Sequence, residues 1–283
     1  MRDEASILEL RQWLQTPQGR YLLDWEQRVY DAAVVDAFGF HALQLGLSEF
    51  ASLRDNRMPH RWLATDHLPL PVAGAPPPPL FLADGQLLAA PAALHCDFDA
   101  LPFPNASIDL VVMPHALEMA RDPHHTLREV ERVLVPEGRL LISGFNPASL
   151  WGLRQRTGRA RRGVGMARQQ ALFMPRAGDF IGYWRLRDWL RLLSFEVETG
   201  RFGCWRPPVS SPVWLERFGW MDRLGEHWWP VFGAVYFLAA VKRVRGMRLV
   251  GLARQDRRVK RAAPAVVAQQ GAAPVCDHRV HEP

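Results

Sequence analysis

Apolar residues along this chain alternate between runs that suit buried strands and spacings that suit helices. Residues 6–38 carry apolar side chains at helical spacing, interrupted near Pro17, and predict a helical N-terminal lead. Residues 40–46 form an apolar run that ends in glycine, which predicts a buried strand feeding a turn. Residues 61–65 predict a second, weaker strand.

The clearest order lies in the middle of the chain. Residues 108–113 predict a strand, 123–134 a helix and 139–144 another strand, which together make a βαβ unit with parallel strands. Further elements are predicted after it, namely a helix at 185–193, a strand at 195–199, a short helix at 214–224 and a final strand at 231–244. The pattern therefore predicts a doubly wound, mostly parallel α/β sheet.

Composition shifts divide the chain into three parts. We predict a helical lead over 1–38, a single α/β domain over 39–247 and a disordered tail over 248–283 that is rich in Ala, Pro and Arg. Within the domain, the six prolines of 69–79 and the arginines of 154–168 predict two surface loops. Asp84-Gly85 predicts a small hairpin between the short apolar runs on either side.

The net charge of +6 comes from two short segments. Residues 154–168 hold six arginines and no acid, and 242–261 hold nine basic residues and one acid, so the rest of the chain is net acidic. This distribution disfavours a nucleic-acid-binding surface spread over the fold. It leaves two interpretations open for the basic segments: solvated loops, or contact with nucleic acid or a membrane surface.

The three cysteines are odd in number and far apart, so they predict neither a disulfide framework nor a metal pair. His124 and His125 lack companion ligands, and we predict no metal site. The N-terminal residues are charged, and the longest apolar run, 228–241, is shorter than the roughly 20 residues that span a bilayer. We therefore expect a soluble, cytoplasmic protein of bacterial type.

Polar residues and glycine follow the predicted strands, where ligands bind in doubly wound sheets. They are Gly46, Asp66, Asp97, His115 and Asn146, of which Asp97 follows a short predicted strand at 94–96. An adenine-ribose ligand needs a bare backbone turn, a carboxylate for the ribose hydroxyls and a polar group for the adenine amine. The first three residues supply these in chain order, and the spacing between Gly46 and Asp66 suits the ribose acid of a nucleotide-binding βαβ unit.

Two stretches carry a family resemblance. Residues 97–112 resemble the "DxxxLPFPDxSFDLV" stretch of type 11, class I S-adenosylmethionine (SAM)-dependent methyltransferases, and 127–142 resemble that family's "REhxRVLKPGGxLhI". The resemblance implies a Rossmann-like seven-stranded fold, SAM as cofactor and a small-molecule or apolar methyl acceptor. It also implies that Asp97 contacts the adenine amine, that Phe98 borders the ring and that Asp66 holds the ribose. Leu45, Gly46 and Met113 complete the predicted cofactor site.

The first glycine motif departs from the family pattern. Where the family reads "LDhGCGxG", this chain has Gln44 in place of the acid, a single Gly46, and then Leu47 and Ser48. Larger side chains here narrow the approach to the methionine part of SAM, because only glycine leaves the backbone bare. The alternative hypothesis is therefore a catalytically silent binding or regulatory protein on the same fold.

Three further residues are candidates for contact with the acceptor. His115 is a candidate general base, with Glu118 on the same helical face and Asn146 after the next strand as substrate residues. A histidine without a role is the competing interpretation, and methyl transfer from SAM needs little acid–base help because alignment supplies most of the rate. The tryptophans of 205–229 predict packing over the sheet edge, with an apolar lid or a membrane-facing surface as alternatives.

Overall fold

The computed structural model describes residues 9–47, 50–66, 92–163, 173–175 and 180–243. The described part of the chain forms one compact unit that includes the N-terminal helical lead. The proline-rich stretch 69–79, the predicted hairpin after it, Ser48 and the predicted tail from residue 248 lie outside the described residues.

A seven-stranded sheet forms the centre of the molecule, with the order β3-β2-β1-β4-β5-β7-β6. Its strands are β1 His41–Leu45, β2 His60–Thr65, β3 Ala92–His95, β4 Ile108–Pro114, β5 Leu134–Phe145, β6 Phe195–Gly203 and β7 Val235–Lys242. The first five strands pair in parallel, and β7 runs antiparallel between β5 and β6. The predicted doubly wound, mostly parallel α/β fold is confirmed.

Helices cover the sheet. They are α1 Pro17–Val34, α2 Ala116–Met119, α3 Pro123–Val133, α4 Leu150–Gly163, α5 Tyr183–Leu192, α6 Pro212–Arg217 and α7 Trp220–Trp228, with a helical segment over 9–14 before α1. Proline opens α1 and α3, and the residue before it caps each helix: the Thr16 hydroxyl accepts from Gly19 N, and the Asp122 carboxylate from His124 N and His125 N. These local signals explain the start of α3 at Pro123, as the sequence predicts, and the start of α1 at Pro17, where the sequence predicts an interruption.

The helical lead belongs to the core. Leu10, Leu14, Leu22 and Tyr30 are fully buried in the apolar cluster that also contains Phe237 of β7. A second cluster on the other face of the sheet packs α3 and α5 against β4 and β5. The strands between these layers are apolar on both faces, as expected for a covered parallel sheet.

A polar network holds the stretch that carries the family resemblance. Arg132 of α3 donates from Nη2 to Leu101 O at 2.9 Å and from Nη1 to Phe103 O at 2.9 Å. The Glu129 carboxylate accepts from Leu101 N at 3.1 Å, and its hydrogen bond with Arg132 lowers its pKa. Residues three apart on one helix thus tie the loop after β3 to α3.

The predicted loop over 154–168 is corrected for its first part, because α4 extends through Gly163. Trp151 and Gln155 are buried on one side of α4, while Arg154, Arg156 and Arg159 are exposed. Arginine is a good helix former, so an arginine-rich sequence with one buried face suits a surface helix. The prediction considered only the charge of this segment and not the helical spacing of its buried residues.

None of the helices in the described ranges is both long and apolar enough for a transmembrane span.

Candidate functional site

A narrow cleft opens at the carboxyl ends of β1 and β2. Its lining residues are Arg11, Gly46, Leu47, Thr65, Asp66, Phe98 and Met119. The cleft lies where doubly wound sheets bind ligands. Three residues of the predicted cofactor site, Gly46, Asp66 and Phe98, therefore line one space.

Gly46 provides a bare turn in this cleft. Its φ of +107° is a conformation that residues with a side chain rarely adopt. A Cβ atom at this position would lie 3.3 Å from Ala116 Cβ and 3.4 Å from Pro114 O. The backbone conformation therefore favours glycine here, and a Cβ would also make tight contacts at the end of β4.

Gln44 closes the loop that follows Gly46. Its side-chain Nε2 donates to Leu47 O at 2.8 Å and to Phe50 O at 2.6 Å, and its Oε1 accepts from Ser52 Oγ at 2.7 Å. An acid at this position could not donate to two carbonyl oxygens. The departure from the family's acid thus has a structural reason, since the amide fixes a loop that places Leu47 in the cleft.

The Gln44→Glu variant is expected to lower the free energy of unfolding by about 2–3 kcal/mol, because two buried carbonyls lose their donor. Chemical denaturation measures this change. The Gln15→Glu variant makes the same substitution at an exposed position and is expected to change stability by less than about 0.5 kcal/mol. Equal stability of the two variants would contradict the proposed role of the Gln44 amide.

Asp66 and Asp97 follow the ends of the paired strands β2 and β3, but only Asp66 lines the cleft. Burial, followed by the charges of Asp66 and then Asp97, raises the pKa of the Cys96 thiol to about 11. The exposed Asp97 accepts from Asp99 N at 3.0 Å and so caps its own turn. Its predicted contact with the adenine amine stays a prediction.

Other predicted site residues have internal roles. The side chains of Leu45 and Met113 are fully buried in the apolar cluster beside α3. Asn146 donates from Nδ2 to Val231 O at 2.7 Å and to Gly233 O at 2.9 Å, and its Oδ1 accepts from Ala148 N. These bonds use its amide to anchor the chain before β7, an arrangement that does not favour a substrate contact.

His115 lies in a buried cluster with two carboxylates. Its Nδ1 is 2.8 Å from Glu118 Oε2, and its Nε2 is 3.0 Å from Glu26 Oε1 of α1. Only 1% of each of these side chains is exposed. The other Glu118 oxygen accepts from Phe145 N at 2.6 Å, so both oxygens of the predicted substrate residue have partners within the protein.

The two carboxylates favour a protonated imidazole. Burial by itself lowers the pKa of His115, but the charges of Glu26 and Glu118 outweigh it and raise that pKa to about 10. Burial raises the pKa of Glu118, opposed by His115 and the Phe145 amide. Glu26 Oε1 lies at ion-pair distance from His115 Nε2, without hydrogen-bond alignment. An imidazolium held on both sides is poorly suited to the predicted role of general base.

Residues distant in sequence complete the site. Arg11 enters the cleft from the N-terminal helical segment, and Met119 from the short helix after β4. Glu26 gives one sequence signal, since it interrupts the buried stripe of α1 formed by Leu22 and Val29. Arg11 has no comparable signal, because its helix position alone does not indicate which strand ends it meets.

No group of three or more His, Cys, Asp or Glu side chains in the described ranges is arranged to hold a metal ion.

Comparison with known proteins gives a family match over part of the chain. Residues 60–142 match the methyltransferase-domain family. The uncharacterized protein YafS of Escherichia coli is 39% identical over 107 residues, which cover 38% of this chain and 40% of YafS. A malonyl-[acyl-carrier protein] O-methyltransferase of Halorhodospira halophila is 40% identical over 67 residues, 24% of this chain and 23% of that protein.

The chain thus spans less than half the length of these curated relatives. Among solved structures, a SAM-dependent methyltransferase from Archaeoglobus fulgidus superposes with a TM-score of 0.49 at 16% identity, over 79% of this chain and 94% of that one. The matched region contains β2, β4, α3 and most of β5, together with the LPFP loop that Arg132 holds. Residues 60–142 are therefore similar to a methyltransferase domain, and they lie within a seven-stranded, mostly parallel sheet.

Proposed function

We propose that this protein is a SAM-dependent methyltransferase acting on a small-molecule or apolar acceptor. The observation that supports this most directly is the cleft that unites the bare turn of Gly46 with Asp66 and Phe98 at the carboxyl ends of parallel strands. The methyltransferase-domain match includes Asp66 and Phe98, so the family resemblance and the geometry point to the same place.

The cleft residues fit the three parts of this cofactor. Asp66 offers a carboxylate for the ribose hydroxyls, and the buried ring of Phe98 offers an apolar surface for adenine. Gly46 permits close backbone approach, and the Arg11 guanidinium offers a cation for the carboxylate of the methionine part. When bound, SAM supplies a methyl group already activated by its sulfonium.

The protein's task in this reaction is alignment and exclusion of water. Leu47, Phe98 and Met119 give the cleft an apolar lining, while Gln44 fixes the loop above it. His115 acts in this proposal as a positioning residue, since its contacts join α1 to the end of β4 beside Gly46. Alignment of acceptor, methyl and sulfur supplies most of the rate in such a transfer.

The acceptor's chemistry is proposed only at the level of class. The name of the Halorhodospira relative specifies an acyl-carrier substrate, and the apolar lining of this cleft is compatible with an acceptor of low polarity. We also propose a bacterial cytoplasmic setting, because both curated relatives come from bacteria and the cysteines are unpaired where described.

Titration calorimetry with SAM and its demethylated product tests the proposal. We expect micromolar binding by the wild type and about 10-fold or greater weakening in Asp66→Asn, because a charged hydrogen bond to the ribose is lost. The exposed Asp55→Asn is the matched control and is expected to bind as the wild type does. Unaltered binding by Asp66→Asn would refute this placement of the ribose.

Two further variants separate the alternatives. Asp97→Ala tests the family role of that residue, and a loss as large as that of Asp66→Asn would place the adenine beside it. Leu47→Gly tests whether this side chain restricts the cleft, in which case binding tightens. Absence of SAM binding in both the wild type and Leu47→Gly would favour the catalytically silent alternative.

A further inference from the structure

One side of the molecule exposes an unusual number of large apolar side chains. On α6, Val213 and Trp214 are exposed; on α7, Trp220, Leu224 and Trp228; and after it, Trp229, Val231 and Phe232. We call this set the tryptophan face. Trp228 is 68% and Val213 70% exposed. Several large apolar side chains exposed within about 20 residues of a folded domain indicate an interaction site.

The apolar residues of α7 form one stripe that points to solvent. Trp220, Leu224 and Trp228 recur every fourth residue and so share a helix face. At roughly 100° per residue, Glu226 lies roughly 160° from the stripe centre at Leu224, while Arg223 and His227 lie roughly 100° or less from it. Asp222, the other acid of α7, also lies roughly 160° from Leu224, so both acids are turned away and Arg223 and His227 flank the stripe.

Helix α4 repeats this arrangement. Its exposed side presents Leu150 and Leu153, with Arg154 and Arg156 on either side of them, and the helix sequence contains no acid. An apolar strip flanked by arginine is typical of helices that lie in the interface of a membrane.

Direct contacts join α4 to the segment that carries the tryptophan face. Trp151 Nε1 donates to Arg206 O at 2.7 Å, and Arg154 donates to Pro208 O. Arg206 Nε in turn donates to Asp222 Oδ2 of α7 at 2.8 Å. The arginine-bearing helix and the exposed tryptophans thus belong to one packed region.

We propose that the tryptophan face, with α4 beside it, docks on the surface of a bilayer containing anionic lipids. Tryptophan prefers the headgroup level of a membrane, and arginines at its edge attract anionic headgroups. A protein partner would also use tryptophan and arginine, but the acid-free exposed side of α4 complements a negative surface in particular. This proposal does not depend on methyl transfer.

Vesicle flotation with the full chain tests the proposal. We expect substantial binding to vesicles of phosphatidylglycerol and phosphatidylcholine, and weaker binding to pure phosphatidylcholine. Salt at about 0.5 M is expected to weaken binding to the anionic vesicles. The double variant Trp220→Ser/Trp228→Ser is expected to lose binding about 10-fold. Arg154→Gln/Arg156→Gln is expected to lose mainly the preference for anionic vesicles.

Trp184→Ser is the matched control. Trp184 on α5 is 54% exposed and stacks with Arg187, so it has the same chemistry away from the tryptophan face. We expect it to bind as the wild type does, and circular dichroism checks that all variants fold. Equal flotation of the tryptophan double variant and Trp184→Ser would overturn the proposal. The proposal would also be overturned if the wild type did not float with vesicles and formed a dimer that Trp220→Ser/Trp228→Ser dissociates. That result would show that a second copy of the chain covers the tryptophan face.

Discussion

Replacement of His115 by asparagine is expected to lower the free energy of unfolding by about 3–5 kcal/mol. The imidazolium lies between Glu26 and Glu118, and all three side chains are buried. Removing the cation leaves two carboxylates close together without compensation. Asparagine is the appropriate substitute because it tolerates the left-handed backbone of this position, where φ is +52°.

The double variant Glu26→Gln/His115→Asn separates the charge from the packing. It removes one buried carboxylate together with the cation, so we expect it to be more stable than His115→Asn alone. Urea denaturation of both variants and of Glu26→Gln alone measures the difference. His125→Asn, at an exposed position of α3, serves as control and is expected to have little effect. Additive losses at residues 26 and 115 would show that the ion pair contributes nothing.

Stability is also expected to fall as pH rises from about 6.5 to 9.5, by on the order of 3 kcal/mol. The folded protein raises the pKa of His115 to about 10, against an ordinary value of 6.5. The stabilisation from its proton is therefore complete below the ordinary value and is lost as pH rises through the raised one. The raised pKa of Glu118 acts in the same direction at lower pH.

Denaturation midpoints at several pH values across this range measure the effect. In His115→Asn the titrating imidazole is absent, so we expect the decline with pH to flatten in that variant. A wild-type profile as flat as the variant's would mean that His115 is not held as an imidazolium. Rising stability with pH would contradict the direction of the pKa shift itself.

Much of the candidate cleft was predictable because several of its lining residues come directly after strands of the sheet. Gly46 and Asp66 come directly after β1 and β2, and Phe98 follows β3 by a short turn. In a parallel sheet these ends meet at one edge, so the predicted neighbours Gly46, Asp66 and Phe98 do line one cleft. Their cofactor roles remain predictions, and Asp97 differs because its carboxylate caps the turn beside it.

The basic segment after β5 shows where local reasoning is insufficient. Its charge predicted a solvated loop over 154–168, but burial of Trp151 and Gln155 stabilises α4. Gln155 donates to Met174 O at 2.9 Å and accepts from Met174 N at 3.0 Å. Met174, the partner in both bonds, lies 19 residues after Gln155 in the sequence, and local sequence does not show that the two residues meet.

By itself, the amino-acid sequence determined most of the strands and helices, including the parallel βαβ unit, and it predicted the edge at which a ligand would bind. These depend on periodicity, capping and strand ends, all of which act over a few residues. Only the tertiary structure decided that Glu26 meets His115, that Arg11 enters the cleft and that the apolar stripe of α7 faces solvent. Each of these depends on how separate helices and strands pack together. Local sequence patterns do not indicate contacts between elements that are far apart in the chain.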